Sequence, residues 1–192
     1  MEETKIAGEY YLQGAREMAS GFLLQPGGEF RFFFSYGALD RQGSGKWVVA
    51  NNRQLVLTSA PKPLSDFTLV ESSTTGDDFV TVKIQDGNPT LLRHIFCSLQ
   101  KGVEGTWLQM NHEHEVQFPK QETGSVSLLL GFCPERFSAI PVPSANHNHF
   151  SFRIEPSVME VFFENFSLQV GENELAGKHP LMEGDQFIYA KP

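Results

Sequence analysis

The chain has 192 residues, 40% of them apolar and 17 of them Phe, enough for the core of one all-β domain or two small ones and too many for a wholly disordered chain. A formal net charge of −8, with 15 Lys and Arg scattered along the sequence, leaves no basic field for phosphates and argues against nucleic-acid and anionic-membrane partners. No apolar run approaches the roughly 20 residues that cross a bilayer as a helix, so no transmembrane segment is expected.

In chain order, EYYLQ after Gly8 and GFLLQ at 21–25 read as strands, with GAREMAS between them as a short helical turn or loop. Pro26, Gly27 and Gly28 supply a tight turn into EFRFFFSY, because Pro presets φ and Gly accepts positive φ. Alternation along that strand sends Phe30, Phe32 and Phe34 to one face and Arg31, Phe33 and Ser35 to the other, so both faces are expected to be covered. GALDRQGSG then reads as a loop, KWVVA as a strand, Asn51-Asn52 as a turn and QLVLTS as its partner.

Pro61 and Pro63 break the ladder, since proline lacks the donor a central strand needs. We therefore expect residues 1–65 to form an N-terminal antiparallel β unit and residues 66–192 a C-terminal β-sandwich. Past the break come FTLVES and FVTVKIQ, with Val80, Val82 and Ile84 on one face; Asp86-Gly87-Asn88-Pro89 then reads as the turn of a hairpin into TLLRHIFCSLQ. GTWLQMN, HEVQFP, SVSLLLGF, HFSFRIEP, EVFFENFSLQV and QFIYAKP continue as short strands without a long helical period. Such regular spacing predicts an all-β fold, an antiparallel β-sandwich or barrel, in one body or as two packed β units. Cys97 and Cys133 lie in apolar runs, which suits buried free thiols; a disulfide between neighbouring strands is the alternative.

Gly8, Tyr10 and Leu12, then Leu24, Pro26, Gly28 and Phe30, then Tyr36, Gly37 and Asp40, then Gly45 and Trp47 form a block. It resembles uncharacterised bacterial proteins with small, lipocalin-like β-barrels. Within residues 79–99, the run VTVKIQDGNPTLLRHIFCSL is similar to the opening of transthyretin-like or carboxypeptidase-regulatory sandwich modules. Both resemblances imply β architectures used as accessory or binding modules, and neither implies an activity.

Two His-x-His pairs form the most distinctive candidate chemistry: His112 with His114, and His147 with His149. On an extended strand, residues i and i+2 project from one face about 6–7 Å apart, so both imidazoles of a pair can reach one transition-metal ion such as Zn, with Glu113 or Glu115 in support. The alternative is that both pairs sit in polar surface loops. Tyr36, Asp40, Trp47 and Trp107, with Phe137 nearby, are candidates for a groove that takes a sugar or apolar ligand; core packing is the competing role for the aromatics. Ser44 in QGSGK lacks the G-x-S-x-G elbow of a hydrolase, and neither cysteine has the electropositive, accessible setting of a reactive thiolate.

The first expectation for function is a non-enzymatic binding or accessory module of a bacterial envelope or secreted system, its partner a small ligand, glycan or protein. A metal-binding protein or metal-dependent enzyme built on the His pairs, and an interaction domain that pairs through sheet edges, are the alternatives.

Overall fold

The computed structural model describes residues 3–50, 53–85, 88–99 and 105–192, so the turn signals at Asn51-Asn52 and Asp86-Gly87 lie outside the described residues. A short helix α1 (Glu3–Ile6) precedes β1 (Gly8–Leu12), β2 (Met18–Leu24), β3 (Glu29–Tyr36), β4 (Leu39–Ala50) and β5 (Gln54–Thr58). There follow β6 (Phe67–Ser73), β7 (Phe79–Ile84), helical turn α2 (Pro89–Leu92), β8 (Ile95–Ser98), β9 (Leu108–Gln109), β10 (Glu115–Pro119), β11 (Ser125–Leu130), β12 (Phe137–Pro141) and β13 (His149–Ile154). The chain closes with β14 (Phe166–Val170), β15 (Glu174–Gly177) and β16 (Phe187–Ala190). The fold is all-β, and its contacts divide it into two compact units, Met1–Lys62 with Met159–Pro192, and Pro63–Val158.

The first unit is a closed barrel in the order β1-β16-β15-β14-β5-β4-β3-β2. Closure leaves this sheet without an exposed edge. Strict alternation turns Phe30, Phe32 and Phe34 inward on β3, as expected, where they join Tyr10, Phe22, Trp47 and Tyr189. Phe22, Phe30, Phe32, Trp47 and Tyr189 are each no more than 2% exposed, so rings fill the lumen and burial of each contributes roughly 1.5–3 kcal/mol or more.

Two expectations about this unit need correction. The first unit does not end in the sixties: although the break at Lys62 lies close to the expected boundary, Met159–Pro192 returns to it, and β14 pairs with β5 while β16 pairs with β1. Five strands with an apolar lumen cannot bury that face alone, and the last three complete the wall. Nor is GALDRQGSG a loop, since only Gly37 and Ala38 turn, and β4 pairs with β3 from Leu39 through Lys46. Its glycines look like breakers but are strand residues at close approaches; a Cβ on Gly45 would lie 2.2 Å from the Thr58 carbonyl oxygen.

The second unit holds two four-stranded sheets, β10-β7-β13-β6 and β12-β11-β8-β9. Val80, Val82 and Ile84 share a buried face of β7, as read from their alternation. The hairpin expected across residues 79–99 does not form: β7 pairs with β10 and β13, whereas β8 lies in the other sheet. Asn88 caps α2 through its side chain, which accepts from the Thr90 amide, and Pro89 stands at the start of the helix. Helix-start chemistry thus replaces a two-residue hairpin turn. The β7–β13 pair is parallel, an exception to the antiparallel rule expected throughout. Cys97 and Cys133 are buried and unbridged.

Within this unit Asp66 and Arg136, each no more than 3% exposed, form a buried forked ion pair through both carboxylate oxygens. Arg136 Nη1 also donates to the Ser157 carbonyl at 2.8 Å, and the Asp66 amide donates to Ser138 Oγ at 3.1 Å. Buried charge requires such saturation.

Candidate functional site

The histidine pairs do not build a metal centre. His112 and His114 sit in the turn before β10, with His114 at φ 61°, so they are not i, i+2 neighbours on one strand face. His149 opposes Thr81 on β7, while the His114 carbonyl accepts from the Ile84 amide, three residues further along the same strand and on its other side. Two strand spacings across and three residues along place these backbones roughly 14 Å apart. His147 Nδ1 instead meets Ser72 Oγ at 2.9 Å. Among the described residues no group of three or more His, Cys, Asp or Glu side chains could hold a metal ion. The residue that organises the NHNH segment is Asn148, whose buried amide accepts from the Thr75 amide at 2.7 Å and donates to the Phe79 carbonyl at 3.0 Å.

Tyr36 and Asp40 do not share a groove with Trp47, and Trp107 belongs to the other unit. Trp47 is a lumen residue, its indole N–H donating to the Gln25 carbonyl at 3.1 Å, so core packing is its role. Tyr36 is 50% exposed at the far end of the β3–β4 hairpin, opposite Leu39, and Asp40 is exposed beside it. The Trp107 ring meets Phe137 edge-on at 5.8 Å within the second unit. Arg41 points inward and is 3% exposed, with Nε donating to the Met159 carbonyl at 3.2 Å.

The barrel encloses one serine–histidine contact. His179, 4% exposed among Phe32, Phe34, Phe187 and Tyr189, lies 3.1 Å from Ser20 Oγ. Nδ1 accepts from the Leu181 amide at 3.0 Å, which places the ring proton on Nε2, where it is donated to Ser20. Ser20 passes its own proton to the Phe33 carbonyl at 3.0 Å. A general base would need Nε2 as acceptor, so this pair is wired for structure. Burial lowers the His179 pKa to about 4 and raises that of the Tyr189 phenol, whose oxygen has no hydrogen-bond partner among the described residues.

The surface with the most accessible chemistry is the outside of the barrel across β1–β5. Strand register lays its outward residues in rows. Tyr11 opposes Gly21, Gly21 opposes Phe33, and Phe33 opposes Gln42. Two residues along, Glu9 opposes Leu23, Leu23 opposes Arg31, and Arg31 opposes Ser44; beyond these, Glu29, Lys46 and Thr58 form a third row.

Gly21 makes the first row possible. A Cβ there would lie 2.4 Å from the Tyr10 carbonyl oxygen and 2.8 Å from Phe33 Cε1, so the Phe33 ring lies across the bare glycine. Tyr11 closes from the other side, its ring 6.1 Å from Phe33 at 63°, with its hydroxyl donating to Glu9 Oε2 at 2.7 Å. That hydrogen bond is the first cause that raises the Tyr11 pKa.

Three hollows follow this wall: about 260 Å³ over the aromatic row, about 410 Å³ beside Gln42 and Ser44, and about 680 Å³ toward Lys46 and Thr58. Arg31 lines all three. Arg31 and Lys46 are exposed, and their side chains make no hydrogen bond or ion pair with another described residue. The alternation of β3 already put Arg31 and Phe33 on the face opposite the three core phenylalanines, but that face is not covered as expected: Arg31 is exposed and Phe33 half-buried, because the core lies in the lumen and the Phe33 ring has Tyr11 and Gly21 against it.

No family model, curated protein or solved structure gives a significant match to this chain, so the functional argument rests on this geometry.

Proposed function

We propose that the protein is a non-enzymatic binding module that takes its ligand on the outer wall of the barrel, across β1–β5. The observation that carries the reading is the contrast between the two sides of one sheet. The lumen is filled by rings that are almost wholly buried, whereas the wall carries three hollows that share Arg31, whose guanidinium has no hydrogen-bond or ion-pair partner among the described residues. A small eight-stranded barrel whose side chains fill its interior holds no internal ligand, so recognition moves outside. The buried Ser20–His179 pair, with its proton on the wrong nitrogen for base catalysis, supports binding ahead of hydrolysis. The proposed setting, a bacterial envelope or secreted system, rests on a strand-rich, acidic, Phe-rich sequence in which no nucleophile, nucleotide or nucleic-acid motif is found.

A mixed library of small polar, apolar and glycan fragments, followed by backbone amide NMR, tests the reading. Shifts are expected to cluster on β1–β4 and to weaken in Arg31→Glu, a surface change expected to alter stability by no more than about 0.5 kcal/mol. Binding confined to other surfaces, or unaffected by that change, would rule the wall out.

A further inference from the structure

The outward lattice of the barrel has a chemical signature beyond a general capacity to bind. Its first row is an aromatic pair, the Phe33 ring lying across Gly21 and the Tyr11 ring set edge-on to it at 63°, with the Gln42 amide at the end of the row. The adjoining rows alternate acceptors and donors: Glu9 and Glu29 supply carboxylates, Arg31 and Lys46 supply N–H groups, and Ser44 and Thr58 supply hydroxyls. The rows carry two carboxylates and two cations, so the formal charges of the four sum to zero. Diagonal neighbours across a ladder lie about 7–8 Å apart, so Arg31 and Lys46 address adjacent parts of one ligand.

We infer that the wall binds an uncharged glycan, with a sugar ring on the outer face of Phe33 against the flank of Tyr11 and its hydroxyls held by Arg31, Gln42 and Glu9; this deepens the binding-module reading and rests on it. A sugar hydroxyl both donates and accepts, which fits a surface where free donors and carboxylates alternate. The Phe33 ring supplies the apolar face that the C–H side of a pyranose requires, while the charged groups at its border fix orientation. The first two rows run from β1 to β4, three strand spacings or roughly 14 Å measured around the curved wall, so the track suits a short oligosaccharide that follows the curvature better than a single sugar.

Competing ligand classes fit less well. A polyanion would face Glu9, Glu29 and a protein of net charge −8. An extended peptide that adds a strand needs an open sheet edge, and the barrel is closed. A lipid tail would leave the guanidinium and both carboxylates of the track without water or partners.

The test is calorimetric titration of the full chain with neutral cello-, manno- and chito-oligosaccharides, beside acidic oligogalacturonate and an oligoglutamate peptide, with amide shifts read in parallel. A neutral oligosaccharide is expected to bind and to shift Tyr11, Phe33 and Gln42. Phe33→Ala is expected to weaken it roughly tenfold, as loss of a ring contact does. Gln42→Ala, at an exposed strand position, provides a second variant that does not depend on the aromatic pair's contribution to folding. Binding of the acidic glycan or the peptide alone would overturn the neutral-glycan inference and leave the wall as a binding surface. Silence toward every glycan, with fragments still mapping to the wall, would also overturn it and spare the module reading. Silence of the wall toward glycans and fragments alike would overturn both.

Discussion

His179 shows how a single side chain can be chemically suggestive and structurally committed. Its Nδ1 lone pair is held by the Leu181 amide, its Nε2 proton by Ser20, and aromatic rings close around it. Protonation would break the Leu181 contact and place a cation in the lumen. Because the folded pKa is about 4 against 6.5 for an ordinary histidine, the unfolded chain binds more protons between those values. Stability from this group is complete above pH 6.5 and declines as pH falls toward 4, by about 3 kcal/mol at most. Denaturant midpoints across this window are expected to follow that slope in the native chain and to lose the His179 component in His179→Gln.

At the level of elements, β4 is the strand on which both sides of the barrel depend. Its inward residues include Trp47 and Arg41, while Gln42, Ser44 and Lys46 face out along the ligand track. The chain bends past neighbouring backbone at Gly45, where even a methyl group would overlap the Thr58 carbonyl. Gly45→Val is expected to destabilise the barrel by about 2–3 kcal/mol, read from urea midpoints, because the obstruction is backbone and cannot swing aside. In the second unit, the edge strand β6 takes an extra residue, Val70, between the pairs Glu71–Ser151 and Leu69–Phe152. Such a bulge twists an edge away from further pairing, which weighs against association through this strand.

For the molecule as a whole, the two units differ in how the chain supplies them. Pro63–Val158 is continuous, whereas the barrel is assembled from both ends of the sequence. Fragment 1–65 lacks β14–β16 and would leave the hydrogen-bonding edges of β1 and β5 open where these strands normally pair. It is expected to show no cooperative thermal transition, while fragment 63–158 retains all strands of its two sheets and is expected to melt cooperatively. A cooperative melt of fragment 1–65 with native-like circular dichroism would show that closure is dispensable.

Much of the fold was legible locally. Alternation in EFRFFFSY and FVTVKI marked the buried faces of β3 and β7, and Pro61 and Pro63 marked the end of the first segment of the barrel, because side-chain period and proline chemistry act within a few residues. Strand pairing was not legible in the same way: β16 meets β1 across nearly the whole chain, and β8 leaves β7 for another sheet despite its proximity in sequence. The candidate site shows the same division. Alternation put Arg31 and Phe33 on a common face, which was expected to be covered; that it is open wall, and that Tyr11, Gly21 and Phe33 share a row, depends on the registers of two strand pairs. His112 and His149 remained only a sequence pattern because a turn and an intervening strand separate their positions. The sequence by itself determined the β class, the alternating faces and the aromatic stock of the core. Tertiary structure alone decided closure, register and which surface residues meet, because those depend on pairing between segments far apart in the chain.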